Sequence, residues 1–406
     1  MPTFNNLCLC ALAQIWISAP PLPVPVTNNA VAAWTDGART TVYSFLGLDS
    51  TKAWNGVTNR AFEWAIGRQA WEEIEPVPGP GRLAATAQAV GGRVFVFGGY
   101  TVAEDGSERS LPHVDVYDPR SGRWSRGAPM PIPVDDAVSG VWADSLIFLI
   151  SGWHDRDNVT NVQVYDPFSD TWRQATPIPG RPVFGHTGAI AGNTIVYIDG
   201  VRRNAGTPRY EIEPTSWRGE IDPTDPARIV WTRLPAHPAP ALYRAAAVAV
   251  GDEVLFAGGT DNPYNYDGIG YDGTPSRPRD DVFGFNVKTG AWRRLPSLAT
   301  PSMDHRGMVL AGDRLVIVGG MVGDQIVASQ VATAMVGEVV GRRRPSPLSP
   351  RLTPPPLSPL STSPLSLWHC RRTSTCSPCR TAGCRRRRSP GSSCVSSRSR
   401  DGPCRH

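Results

Sequence analysis

Apolar positions along the first 340 residues come in short alternating or continuous runs of four to six, each cut off by glycine. Val94-Phe-Val-Phe-Gly98-Gly99, Val254-Leu-Phe-Ala-Gly258-Gly259 and Leu315-Val-Ile-Val-Gly319-Gly320 are the clearest, with looser copies at Val42–Gly47, Leu146–Gly152 and Ile195–Gly200. Runs this short, bounded by turn residues, predict strands rather than helices. A second pattern follows each run: an alternating strand and a turn, as in Val114-Asp-Val-Tyr117-Asp118-Pro119 and Val162-Gln-Val-Tyr165-Asp166-Pro167, and Val282-Phe-Gly-Phe285-Asn286. A tryptophan then opens a third. Trp16, Trp71, Trp124 and Trp172 each begin a stretch ending Pro-x-Pro, and Trp231 and Trp292 begin shorter copies ending Leu-Pro. The tryptophans stand 55, 53, 48, 59 and 61 residues apart.

Four short strands in about fifty residues is the arithmetic of a propeller blade. Six tryptophans and six glycine-ended strands predict six blades. Trp16 has no glycine strand before it, and Gly319-Gly320 has no matching tryptophan after it. Residues 14–20 are therefore expected to supply the fourth strand of the last blade, closing the ring and removing free sheet edges. The double glycine, the spaced aromatic and the tryptophan make residues 14–335 resemble the kelch family. The expected architecture is an all-β, six-bladed kelch-type β-propeller over 14–340, preceded by a poorly defined 1–13.

Composition sharpens this division. The 406 residues carry a net charge of +5, but residues 341–406 hold fourteen Arg and one acid, which leaves −8 for the rest. The same 66 residues contain 14 Ser, 11 Pro and six of the eight Cys. Such a segment cannot bury enough apolar surface to offset chain entropy, and a disordered tail is expected. The switch is also what a high-GC gene yields when read out of frame. Cys376-Ser-Pro-Cys379 lacks a second pair at zinc spacing, and Arg385–Arg388 reads as a solvated charge run. No apolar run is long enough to span a bilayer. Leu7–Ala19 could serve as the apolar part of a secretion signal, but no basic residue precedes it. A periplasmic or secreted location is expected if an upstream leader is missing, and a cytoplasmic one otherwise.

Candidate chemistry follows from the repeat register. Just before the first strand of each blade stand Asn29, Arg82, Asp135 and Asp136, His186, Tyr243 and Arg244, and His305 and Arg306; just after the glycine strands stand Tyr100, His154 and Arg202. Equivalent positions in a propeller converge on one mouth. A ring of this composition predicts binding of a carbohydrate or other small polar ligand, anionic ones included, by a monomer. A protein-binding scaffold is the alternative. No metal, cofactor or specific nucleic-acid partner is expected, and Asn158-Val-Thr160 is a chance-level glycosylation motif. The long insertion Thr260–Asp281, with Tyr264, Tyr266 and Tyr271, is a second place to look.

The kelch resemblance implies two enzyme readings. Kelch-like copper oxidases use a tyrosine crosslinked to a cysteine, and no cysteine occurs between residues 11 and 369. Sialic acid mutarotases open with a segment similar to Leu22-Pro-Val-Pro25, and their proposed acid/base Glu follows an Asn-Gly. The matching stretch here is Asp199-Gly200-Val201, so Val201 replaces the carboxylate. Asp199, Asp135 or Asp136 would have to supply it.

Overall fold

The computed structural model describes residues 14–341. The leading cysteines and the Arg/Ser/Pro/Cys segment, with its expected disorder, lie outside them. Within these bounds six four-stranded antiparallel sheets surround an axis. Blade 2 is representative: Thr86–Val90, Arg93–Phe97, Val114–Asp118 and Arg123–Arg126 run from the innermost strand to the outermost. The second strands are apolar on both faces because each blade is sandwiched between two neighbours; Val94 to Phe97 are all buried. Innermost strands are rich in small side chains, such as Ala30 and Ala32 or Ala245 to Ala247, because the blades crowd at the axis. Outermost strands face water.

Blade 6 takes its first three strands from Val309–Ala311, Arg314–Val318 and Val331–Met335, and its fourth from Ile17–Ser18. Ile17 pairs with Thr333 and Ser18 with Ala332. The N-terminal strand closes the ring. Tryptophan does the stitching between blades. Trp124 Nε1 donates to the Glu75 carbonyl, Trp172 to Ala128, Trp231 to Thr176 and Trp292 to Pro235. Trp16 donates to Pro296 and Trp71 to Pro20, so the same bond recurs across the closure. Within a blade the tryptophan also packs on the aromatic of the third strand, with ring centroids 4.8 Å apart for Tyr165 and Trp172.

The second glycine of each pair has a steric cause. Gly99 and Gly152 sit at φ +84° and +110°, and a Cβ on either would lie 2.6 Å from the carbonyl oxygen of Leu83 or Asp135. The chain entering a blade therefore lies directly against the end of that blade's second strand. Bridges Leu83–Tyr100, Asp135–Trp153, Phe184–Val201 and Tyr243–Thr260 record this contact.

Candidate functional site

With Thr27–Leu48 and Met303–Met321 the bridges number six, and the residue after each adopts a left-handed backbone: Asn28, Ala84, Asp136, Gly185, Arg244 and Asp304, at φ between +51° and +68°. This position lets the chain turn towards its neighbour across the axis. Asp136 N donates to Ala84 O, Gly185 N to Asp136 O, Arg244 N to Gly185 O and His305 N to Arg244 O. Asn28 N donates to Asp304 O, and the Asn28 side chain accepts from Ala84 N. The six segments thus form a closed collar at one end of the axis.

Charged side chains bridge that collar. Arg244 reaches from blade 5 to Asp136 of blade 3 (2.7 Å) and to Asp304 (3.0 Å), and Arg306 of blade 6 also binds Asp136. The side chains of all four are nearly buried. The Arg244 guanidinium lies 4.8 Å from the Tyr243 ring and 5.3 Å from the Tyr264 ring. Below this group runs a channel of 260 Å³ lined by the innermost strands, with His186, His305 and Arg306 among its walls. Above it is a cleft of 80 Å³ that shares no lining residue with the channel.

Tyr100, Asp135, Asp136 and Arg244 meet in the cleft. Its other walls are Glu108, Trp153, Phe184, Tyr210, Asn265 and Tyr271. The Thr260–Asp281 insertion roofs it: Arg244 donates to the Asn265 carbonyl, and the Asn265 amide donates to Glu108 (2.7 Å), which belongs to a hairpin on the opposite blade. Asp135 Oδ2 accepts from Ser110 Oγ at 2.6 Å. Burial pushes the Asp135 carboxyl up to about 8, so it is mostly protonated at neutral pH. Burial also raises the Glu108 carboxyl, and it raises the Tyr100 phenol well above its ordinary value. Tyr100 Oη is buried with no hydrogen-bond partner among the described residues.

The remaining candidates lie elsewhere. Arg82 is fully buried against Asp115 (2.6 Å) and His113 inside blade 2, in a register that the other blades fill with Val26, Val134, Val183, Leu242 or Ser302. Its charge completes an interior pair and does not reach the mouth. Asn29 donates to Ser44, His186 bonds the Ile150 carbonyl and His305 bonds Ser302, all beneath the collar. Burial lowers both histidines to about 4, so they are neutral. Arg202 is held by Glu211 and Glu213 on a rim hairpin, and His154 stands beside Trp153 without lining the cleft. Of the carboxylates considered for the vacant mutarotase position, Asp199 is buried against His237 and the Leu242 amide, and Asp136 is saturated by two arginines. Asp135 alone of the three presents itself to the cleft without an ionic partner. Tyr271 belongs to the insertion singled out from the sequence, whereas Tyr210 was missed because the rim hairpins vary from blade to blade. Phe184, by contrast, occupies the same register as Asp135 and could have been found there.

A family model described as the kelch motif matches residues 81–131, the segment that forms blade 2. Residues 81–131 thus carry a kelch motif within a six-bladed propeller. It is 30% identical over 245 residues to the Kelch-like protein terF of Aspergillus terreus, covering 59% of this chain and 39% of that protein. Beta-scruin of Limulus polyphemus is 27% identical over 146 residues, 35% of this chain and 15% of the relative. An N-acetylneuraminate epimerase of Yersinia enterocolitica is 33% identical over 94 residues, 22% of each chain. The chain spans well under half the length of these curated relatives. The solved structure of YjhT superposes with a TM-score of 0.62 at 16% identity, over 77% of this chain and 95% of that one, which is a likeness of fold.

Proposed function

We propose that this kelch propeller binds a small, uncharged polar compound in the cleft, with a sugar ring as the chemical type. The observation that carries the reading is the buried, unpartnered Tyr100 hydroxyl beside a protonated Asp135, in a cleft walled by Trp153, Phe184, Tyr210 and Tyr271. An unsatisfied buried hydroxyl is costly, and a ligand hydroxyl would satisfy it. Aromatic faces suit the apolar face of a sugar, while Asp135, Glu108 and Asn265 suit its hydroxyls. An anion is disfavoured, because Arg244 and Arg306 are already answered by Asp136 and Asp304.

The test is titration calorimetry against a panel of neutral monosaccharides. Tyr100→Phe is expected to weaken the best binder about tenfold, the worth of one buried hydrogen bond. Arg82→Ala is expected to lower stability by about 2–4 kcal/mol, by emptying a buried site and leaving Asp115 with Arg126 alone, yet to leave the affinity of the folded fraction unchanged. Full affinity in Tyr100→Phe would sink the assignment. Protein docking on the same face is a second reading, favoured by the exposed apolar side chains Trp54, Ile269, Tyr271 and Ile326 on the loops around the mouth.

A further inference from the structure

The cleft does not end at Tyr210 and Tyr271. Their rings pack 4.2 Å apart, and the same two residues form the inner wall of a second, larger groove between the rims of blades 4 and 5. The cleft holds 80 Å³, far below the ~300–1,000 Å³ of a typical small-molecule site. The groove holds 760 Å³. A ligand seated in the cleft and larger than one small ring can continue over the tyrosine pair, which both spaces share, into the groove beyond. Resting on the cleft reading, we infer that the natural ligand is a chain: a neutral oligosaccharide with its terminal unit in the cleft and the following units along the groove.

Tyr210 has Arg209 stacked 5.3 Å from its centroid as well as Tyr271 against it, so its faces are occupied. Tyr271 is 40% exposed and offers a stacking surface at the junction. Its backbone is pinned by a hydrogen bond to the Pro263 carbonyl, and the Asn262 amide ties the loop to Asp272 and Thr274. The platform is therefore ordered before any ligand arrives, which lowers the entropic cost of stacking. Beyond it the groove is lined by Glu211, Asp261, Asp272 and Arg209, with Arg202 paired to Glu211 and Arg279 to Asp261. Carboxylate oxygens suit the hydroxyls of a neutral glycan, and charges already balanced in pairs give a uronic or sialic acid chain no net attraction.

The experiment uses the full chain and a ladder of glucose, mannose, galactose and N-acetylglucosamine with their homo-oligomers of two to six units, read by calorimetry. In one series the affinity is expected to rise at least tenfold from monomer to trimer and then level off. Thr207→Trp, an exposed position on the groove wall away from the cleft, is expected to return the trimer to the affinity of the monomer while the monomer stays within twofold of wild type. Circular dichroism checks the fold of the variant. Monomer binding with no gain on lengthening would overturn this inference and leave the cleft reading standing. No binding by any neutral sugar would overturn both. Tighter binding of oligogalacturonate, or of a lysine-rich peptide, than of every neutral oligomer would also overturn it.

Discussion

At the scale of single residues, Asp135 in the cleft and His186 and His305 along the channel are largely buried, and their shifts oppose. Asp135 titrates near 8 when folded, against about 3.9 when unfolded. The folded state therefore holds an extra proton between those values, and stability falls as pH rises through that window. His186 and His305 titrate near 4 when folded and about 6.5 when unfolded. The folded state lacks their two protons between those values, so stability falls as pH drops below about 6.5. On the acid side the two histidine protons oppose that of Asp135, and above 6.5 Asp135 lowers stability, with Glu108 and Asp199 shifted in the same direction. Urea melts across pH 4 to 9 are expected to give a stability maximum near pH 6.5. Asp135→Asn should flatten the decline from 6.5 to 8 and keep the acid limb; an unchanged alkaline limb would refute the assignment. Tyr100→Phe has a separate signature: with no partner to lose, the free protein should be as stable as wild type or slightly more so, while the ligand is held less tightly.

At the scale of elements, closure depends on a two-residue strand. Ile17–Ser18 contributes a short ladder to Val331–Met335, and Trp16, 1% exposed, anchors it between blades 5 and 6. Trp16→Ala is expected to cost about 3–5 kcal/mol. Limited proteolysis should then cut first near the start of the described chain and in blade 6. The tryptophan spacing made this closure readable, because a sheet that recurs with fixed register leaves its incomplete copy visible at each end. The cleft was only half readable. Repeat register fixes where a Cα lies, so Asp135, Asp136 and Arg244 could be assigned to one mouth. It does not fix where a long side chain points. Arg82 turned inward because only blade 2 supplies Asp115 and His113 to receive it. Tyr210 and Tyr271, 61 positions apart in hairpins that differ between blades, meet at 4.2 Å with no periodic signal to announce it.

At the scale of the whole molecule, the collar makes six blades depend on one another directly, in addition to the apolar packing between sheets. Each backbone bond in it joins adjacent blades, so none opens without displacing two. The amides of Asp136, Gly185, Arg244 and His305 are expected to exchange with deuterium only through global unfolding, at the slowest rates measured. Fast exchange at any of them would show that the ring breathes blade by blade. The buried Arg244–Asp136–Arg306 group carries a further consequence. It separates the cleft from the channel, so the two ends of the axis have no passage between them. A ligand that enters by the mouth would have to leave by the mouth. For the chain proposed above, residence time, rather than any flow through the ring, would set how often the site comes free.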